Sequence, residues 1–250
     1  MNVDISNKVV VITGASKGIG SELAKAFARE RAITVLNYCH SEKQAVNVYN
    51  DMIRTSPKSI LVRADVTKPS EVSSMYHEVI SKFGRVDVLI NNAGICDDNL
   101  IQMMSLKQWE KVIDVNLTGT FLCCREFSKN MIKQKSGKII NIASLKGQIG
   151  SSGQVNYSSS KAGVIAITKT LAREFSNYNV SVNAICPGFI VTDLNRHNII
   201  KKNNAVQQSL LRIDFSLKDL INFVLFISSD RILGISGRLF NLDSRVNEDM

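Results

Sequence analysis

This sequence predicts an α/β fold: one domain, residues 1–250, built on a doubly wound, parallel, seven-stranded sheet with helices on both faces. Three observations predict it. Short apolar runs rich in Val and Ile alternate along the chain with longer amphipathic stretches. The first run feeds a glycine-rich turn and then a helical pattern. No repeat, low-complexity tract or linker interrupts the alternation, and three prolines leave little punctuation where a domain boundary could fall.

Taken in order, Val9–Thr13 is a β-branched apolar run, as expected of a buried parallel strand. It runs straight into Gly14-Ala15-Ser16-Lys17-Gly18-Ile19-Gly20, after which Ile19–Arg29 reads as a helix. Further strands are expected over Ile33–Tyr38, Ser59–Ala64, Val86–Asn91, Lys138–Ala143, Val180–Ile185 and Arg238–Leu242. Helices are expected over Lys43–Ile53, Pro69–Phe83, Leu106–Lys133, Val155–Tyr178 and Leu217–Ser228. The interval from Asn195 to Ser216 is polar and weakly patterned, and it follows a strand's C-terminal end. Ligands bind at that end in such sheets, so a substrate lid is expected there.

Strand, glycine turn and helix together let backbone N–H groups approach a pyrophosphate at a helix N-terminus. The glycine spacing here is TGxxxGxG, with three residues between the first two glycines.

Composition narrows the function classes. A hydrophobic fraction of 44% and a charged fraction of 21% are ordinary for a globular protein. No stretch approaches the roughly 20 apolar residues a membrane span requires. The start, Met1 to Lys8, lacks a basic segment followed by an apolar core, so a cytoplasmic protein is expected. Cys39, Cys96, Cys123, Cys124 and Cys186 are odd in number without CxxC spacing, and His40, His77 and His197 are scattered. Neither a metal site nor a disulfide framework is expected. The net charge of +9 invites a nucleic-acid reading, but the lysines and arginines are spread out and lack interleaved aromatics. Two readings of that charge stay open: a solvated basic surface, or attraction to acidic partners such as a phosphorylated cofactor.

Candidate chemistry lies at Tyr157 and Lys161, four residues apart and so on one helical face. An ammonium there favours phenolate and lowers a tyrosine pKa from about 10. A phenol tuned toward neutrality is a usable general acid for a carbonyl under reduction. Ser144 lies thirteen residues before the tyrosine, at the end of an apolar run.

Thr13-Gly14-Ala15-Ser16-Lys17-Gly18-Ile19-Gly20, Asn91-Asn92-Ala93-Gly94, Asn116, Ser144, Tyr157-x-x-x-Lys161 and Pro187-Gly188 occur in the order of the short-chain dehydrogenase/reductase family. The resemblance runs from about residue 5 to 243 and implies a Rossmann-type fold. Within the family, Asn91 to Leu100, Val115 to Phe121, Gly153 to Tyr157 and Pro187 to Asp193 most resemble the 3-oxoacyl-[acyl-carrier-protein] reductases. That resemblance implies reduction of a ketone, a 3-oxoacyl thioester, with Tyr157 as proton donor and Ser144 hydrogen-bonding the carbonyl oxygen. Lys161 would lower the tyrosine's pKa and hold the nicotinamide ribose, and Asn116 would hold a relay water. The cofactor contacts it implies are Gly14, Ser16, Lys17, Gly18, Ile19, Gly20, Asn37, Asp65, Val66, Asn92, Ala93, Gly94, Pro187, Gly188, Ile190 and Thr192, together with Tyr157 and Lys161. It further implies an acidic acyl carrier protein as a possible partner. It also implies a homotetramer assembled through the two long helices and the last strand.

Cofactor choice rests on charge. Enzymes using NAD carry Asp or Glu about 20 residues beyond the first glycine. Here the second strand ends in Asn37-Tyr38-Cys39-His40, and Lys17 adds a cation in the glycine turn, which favours NADPH. Other features depart from the family pattern. Asp243-Ser244-Arg245 replaces the usual Asp-Gly-Gly, Arg212 to Ser216 differs from the usual lid end, and Arg31 replaces a glycine. Lys135 keeps a basic residue on the expected carrier-docking face, whereas Tyr178 stands where an arginine would strengthen it. A reductase of another ketone, from a sugar or polyketide pathway, therefore stays open, as does a non-catalytic cofactor-binding scaffold. The altered tail leaves the dimer as the alternative to the tetramer.

Overall fold

The computed structural model describes residues 4–188, 190, 207, 210–211 and 216–242. Seven parallel strands form one sheet in the order β3-β2-β1-β4-β5-β6-β7. They are β1 (Val9–Ile12), β2 (Ile33–Tyr38), β3 (Ile60–Arg63), β4 (Val88–Asn91), β5 (Gly137–Ile142), β6 (Val180–Pro187) and β7 (Leu239–Leu242). The order reverses between β1 and β4, which are neighbours, with Val10 opposite Val88 and Ile12 opposite Ile90. Such a switch point opens a crevice beyond the C-terminal strand ends, where ligands bind.

Period-two alternation feeds two cores from one strand. Val10 and Ile12 pack with Leu23 and Phe27 of α1 (Gly18–Arg29), Val48 of α2 (Glu42–Ile53) and Leu220 and Val224 of a helix at Leu217–Ser228. Val9 and Val11 pack on the opposite face with Val72, Met75 and Val79 of α3 (Pro69–Phe83) and with Phe127 and Met131 of α5 (Gly119–Gln134). All four residues of β1 are buried, which is why the run carries no polar alternation.

The long helix expected over Leu106–Lys133 is two helices. α4 (Leu106–Ile113) starts at a capping box in which Ser105 and Gln108 bond reciprocally. It passes into α5 through a π-turn at Asp114–Thr118, closed by the Gly119 N–H on the Asp114 carbonyl. π-Turns of this kind insert one residue and are frequent at functional sites. The one here carries Asn116, which is fully buried. The strand expected to run to Ala143 ends at Ile142, and a short helix, α6 (Lys146–Ile149), follows Ser144. Next, α7 (Val155–Glu174) ends before the Tyr178 expected for it, giving way to a 3₁₀ turn at Ser176–Tyr178. The Leu217–Ser228 helix is α8, opened by a second capping box between Ser216 and Asp219. The lid expected over 195–216 falls almost wholly outside the described residues, as do the tail from Asp243 and Arg212 to Phe215. No described helix is long and apolar enough to cross a membrane.

Candidate active site

The crevice floor is built where β1 and β4 end. The Thr13 hydroxyl accepts from the N–H groups of Asn92 (3.0 Å) and Ala93 (3.1 Å), and the Asn92 amide returns to the carbonyls of Thr13 and Gly14. Gly14 has φ +61°, and a Cβ on it would stand 2.7 Å from the Ala93 Cα. A Cβ on Gly20 would meet the Asn92 Nδ2 at 2.4 Å and the Gly14 carbonyl at 2.6 Å. Both positions therefore exclude any side chain. The turn presents the N-terminus of α1, whose leading N–H groups have no partner within the helix, to the crevice. Lys17 is exposed and Ser16 nearly buried beside them, and Ile19 packs partly against the core.

Asn37 and Asp65 reach this region in different ways. The Asn37 side chain is buried, with Oδ1 accepting from the Gly14 N–H at 3.3 Å and Nδ2 donating to the Ala64 carbonyl at 3.0 Å. It ties the glycine turn to the end of β3. Asp65 accepts from the Thr67 N–H (3.0 Å) and hydroxyl (2.8 Å), while Glu71 accepts from the Asp65 N–H. Burial pushes the Asp65 carboxyl up, but the Thr67 hydrogen bonds and the Lys68 and His40 charges outweigh it, and the group sits below its ordinary range. Val66 is buried against Gly119, where a Cβ would lie 2.7 Å from its Cγ2.

A second polar cluster stands over the ends of β5 and β6. The Lys161 ammonium donates to the Ile142 carbonyl at 2.7 Å and lies 5.7 Å from the centroid of the Tyr157 ring. The Ser144 hydroxyl lies beside the Tyr157 phenol, and Ser144 Oγ accepts from the Lys146 N–H at 3.2 Å. Gly94 brings the β4 loop against the cluster, since a Cβ there would lie 3.4 Å from the Asn116 Oδ1 and 3.6 Å from the Lys161 Nζ. Pro187 closes β6, Gly188 donates to the Leu242 carbonyl at 3.4 Å, and Ile190 is buried nearby in the core of that face. Thr192 lies outside the described residues.

A family model described as short chain dehydrogenase matches residues 8–203. The chain belongs to this family. Among similar curated proteins, the 3-oxoacyl-[acyl-carrier-protein] reductase FabG of Staphylococcus epidermidis is 41% identical over 238 residues, covering 95% of this chain and 98% of the relative. A 3-oxoacyl-[acyl-carrier-protein] reductase of Synechocystis sp. is 41% identical over 240 residues, 96% of each chain. The FabG of Staphylococcus aureus is 39% identical over 238 residues, 94% of this chain and 96% of the relative. As a short-chain dehydrogenase the protein is an oxidoreductase that works with a nicotinamide cofactor. The Gly14 to Gly20 turn suits that group, because Gly14 and Gly20 let the turn pack closely on Ala93 and Asn92 and hold the N-terminus of α1 at the strand ends, where a pyrophosphate binds.

Electrostatics in this short-chain dehydrogenase depart from one expectation. Burial pushes the Tyr157 phenol up from its ordinary value, Cys96 adds to the rise, and the Ser144 hydrogen bond pulls the other way. The downward shift expected from Lys161 does not prevail, because burial acts on both partners. It lowers the Lys161 ammonium itself to about 8. Asn116 is held by the protein's own groups. Its Oδ1 accepts from the Ile95 N–H (2.8 Å), and its Nδ2 donates to the Ile95 carbonyl (3.0 Å) and the Ser160 hydroxyl (3.1 Å). Sequence reasoning missed Thr13, Asn156 and Ser160 as parts of the site. Small polar residues flanking a motif look like ordinary turn and helix residues until the fold brings their partners in.

Proposed function

We propose that this protein uses NADPH to reduce the ketone of a 3-oxoacyl thioester to a secondary alcohol. The observation that carries it is the Ser144 hydroxyl beside the Tyr157 phenol, with Lys161 beneath the ring, next to the loop at Gly94. The relatives named as 3-oxoacyl-[acyl-carrier-protein] reductases support the choice of substrate.

In this reading Gly14, Ser16, Lys17, Gly18, Ile19 and Gly20 hold the cofactor's phosphates, and Asn92, Ala93 and Gly94 let it lie close to the β4 backbone. Asp65 and Val66 border its adenine, while Pro187, Gly188, Ile190 and Thr192 border its nicotinamide. A bound dihydronicotinamide supplies the hydride. Ser144 orients the carbonyl oxygen, and Tyr157 gives it a proton through the phenol hydroxyl. Lys161 favours the phenolate left behind, and Asn116 serves the proton path through its hold on the loop at Ile95. A phenol held mostly protonated by burial suits the donor's part.

NADPH is favoured over NADH by charge. Lys17 is exposed at the glycine turn, and β2 ends without an acid. The two carboxylates near that end, Asp65 and Glu71, are engaged by Thr67 and by Lys68 with the Asp65 N–H. An acidic acyl carrier protein is the proposed carrier of the substrate, met by a basic surface that includes Lys135. The second reading, a ketone from a sugar or polyketide pathway, is favoured by the Asp243-Ser244-Arg245 tail and the altered Arg212 to Ser216 stretch. Following NADPH consumption against acetoacetyl thioesters, sugar ketones and simple diketones separates the two. Turnover confined to sugar ketones or diketones would displace the thioester assignment.

A further inference from the structure

Tyr157 stands in the first turn of α7, where leading N–H groups lack partners inside the helix. Gln154, at the N-cap, makes no side-chain cap. Asn156 supplies the partner instead: its Oδ1 accepts from the Tyr157 N–H at 2.7 Å. Its Nδ2 donates to the Asp97 carbonyl at 2.9 Å and to the Gln108 carbonyl at 3.3 Å. The side chain is fully buried, so these three bonds have no competition from solvent.

The far side of the tyrosine is held the same way. The Ser160 hydroxyl donates to the Tyr157 carbonyl at 2.7 Å and accepts from Asn116, which grips the Ile95 backbone. Two buried asparagines thus lace the loop at residues 95–97 to the tyrosine's backbone, one on each side. Only Asn156 also reaches α4, whose Gln108 side chain donates back to Asp97 at 3.0 Å.

We propose that Asn156 is a positioning residue for the Tyr157 phenol, fixing the tyrosine's backbone against Asp97 and Gln108; this rests on the reductase reading above. Helix capping alone needs one acceptor. The amide spends its two donors on other elements, the loop beside the reacting pair and the helix behind it. A displacement of about 1 Å at a reacting group costs on the order of 100-fold in rate, so such a clamp has catalytic consequence without touching substrate.

The test compares Asn156→Leu, which keeps the volume and removes all three bonds, with Asn156→Asp. The latter keeps the acceptor for the Tyr157 N–H and removes both donors. Sites are counted by NADPH fluorescence titration, so misfolded protein does not enter the rate, and hydrogen exchange is followed over residues 95–99 and at the Tyr157 amide. Asn156→Leu is expected to lose about 10- to 100-fold in kcat per binding site, with KM and NADPH affinity within about twofold of wild type, and to exchange faster at both places. Asn156→Asp is expected to lose less in kcat, to exchange faster only over 95–99, and to keep the Tyr157 amide protected. Wild-type exchange in both variants, or a kcat per site within about twofold of wild type in both, overturns the proposal. If wild type reduces none of the ketones offered, the reductase reading falls on its own and exchange alone judges Asn156.

Discussion

The Asn92 side-chain amide donates to the Gly14 carbonyl at 3.1 Å, joining the turn after β1 to the turn after β4 across the sheet's switch point. Gly20 lies under that bond, with room for a hydrogen and no more.

Gly20→Ala should therefore break the floor of the crevice. Its new methyl would sit 2.4 Å from the Asn92 Nδ2 and 2.6 Å from the Gly14 carbonyl, so both must move. Overpacking of this kind costs about 1–3 kcal/mol. We expect a loss of stability in that range, read by urea unfolding, together with weakened NADPH binding, read by fluorescence titration. Wild-type affinity in the variant would show that the cradle does not hold the cofactor.

Lys17 is proposed to carry the cofactor preference. NADPH should bind more tightly than NADH, and Lys17→Ala should narrow the gap by about 10- to 150-fold, the equivalent of about 1.5–3 kcal/mol for a charge-assisted contact. Paired titrations with the two cofactors check it. A wild-type preference for NADH would contradict both the role of Lys17 and the reading of the acid-free end of β2.

Lys138 should make stability depend on pH. Its buried ammonium donates to the carbonyls of Ile227 (3.1 Å), Ser229 and Ile232, holding the end of α8 to β5. Burial lowers its pKa from 10.5 to about 8, with Lys8 adding and Asp230 opposing. A lysine whose folded pKa is depressed binds fewer protons in the folded state, so stability rises with pH from about 8 to 10.5. Lys161 contributes with the same sign. Lys138→Met should flatten part of that rise and destabilise by about 1–3 kcal/mol by leaving carbonyls unpaired. Urea unfolding at several pH values reads both effects, and an unchanged slope would contradict the first.

The monomer leaves apolar surface uncovered. Leu122 and Phe127 of α5, and Phe175 just after α7, lie in the protein's own core. Phe121 of α5 is 46% exposed under the Arg125 guanidinium, and Leu233, before the edge strand β7, is 74% exposed. A half-buried edge strand with bare apolar neighbours is a pairing surface. We expect a homotetramer, with a dimer if the altered tail blocks the second interface. Light scattering at micromolar concentration checks it, and a mass near 27.7 kDa would refute it.

Most of the fold was legible because β-branched runs and helical periodicity each have one reading once the glycine turn sets the pattern. All seven strands fall where the apolar runs are, β3, β4 and β7 starting one or two residues later than expected. What was not legible depends on contacts between distant segments. The π-turn at Asp114–Thr118 lies within a continuous helical pattern, and it shows only when Asn116 meets Ile95 and Gly119 meets Val66. The hold of the Asn37 amide on Gly14 and Ala64 is likewise invisible in the sequence. The direction of the Tyr157 shift was misread for the same reason: spacing gives the neighbour, Lys161, but not the burial that outweighs it.

Tyr157 is the proposed proton donor, and kcat of wild type against Tyr157→Phe tests that role most directly. The measurement uses NADPH with an acetoacetyl thioester, at equal concentrations of titrated NADPH-binding sites. Phenylalanine keeps the ring over Lys161 and removes only the hydroxyl beside Ser144. The predicted result is a fall of about 10²- to 10⁴-fold in kcat with NADPH affinity retained; near-wild-type turnover by folded, cofactor-binding Tyr157→Phe would contradict the assignment.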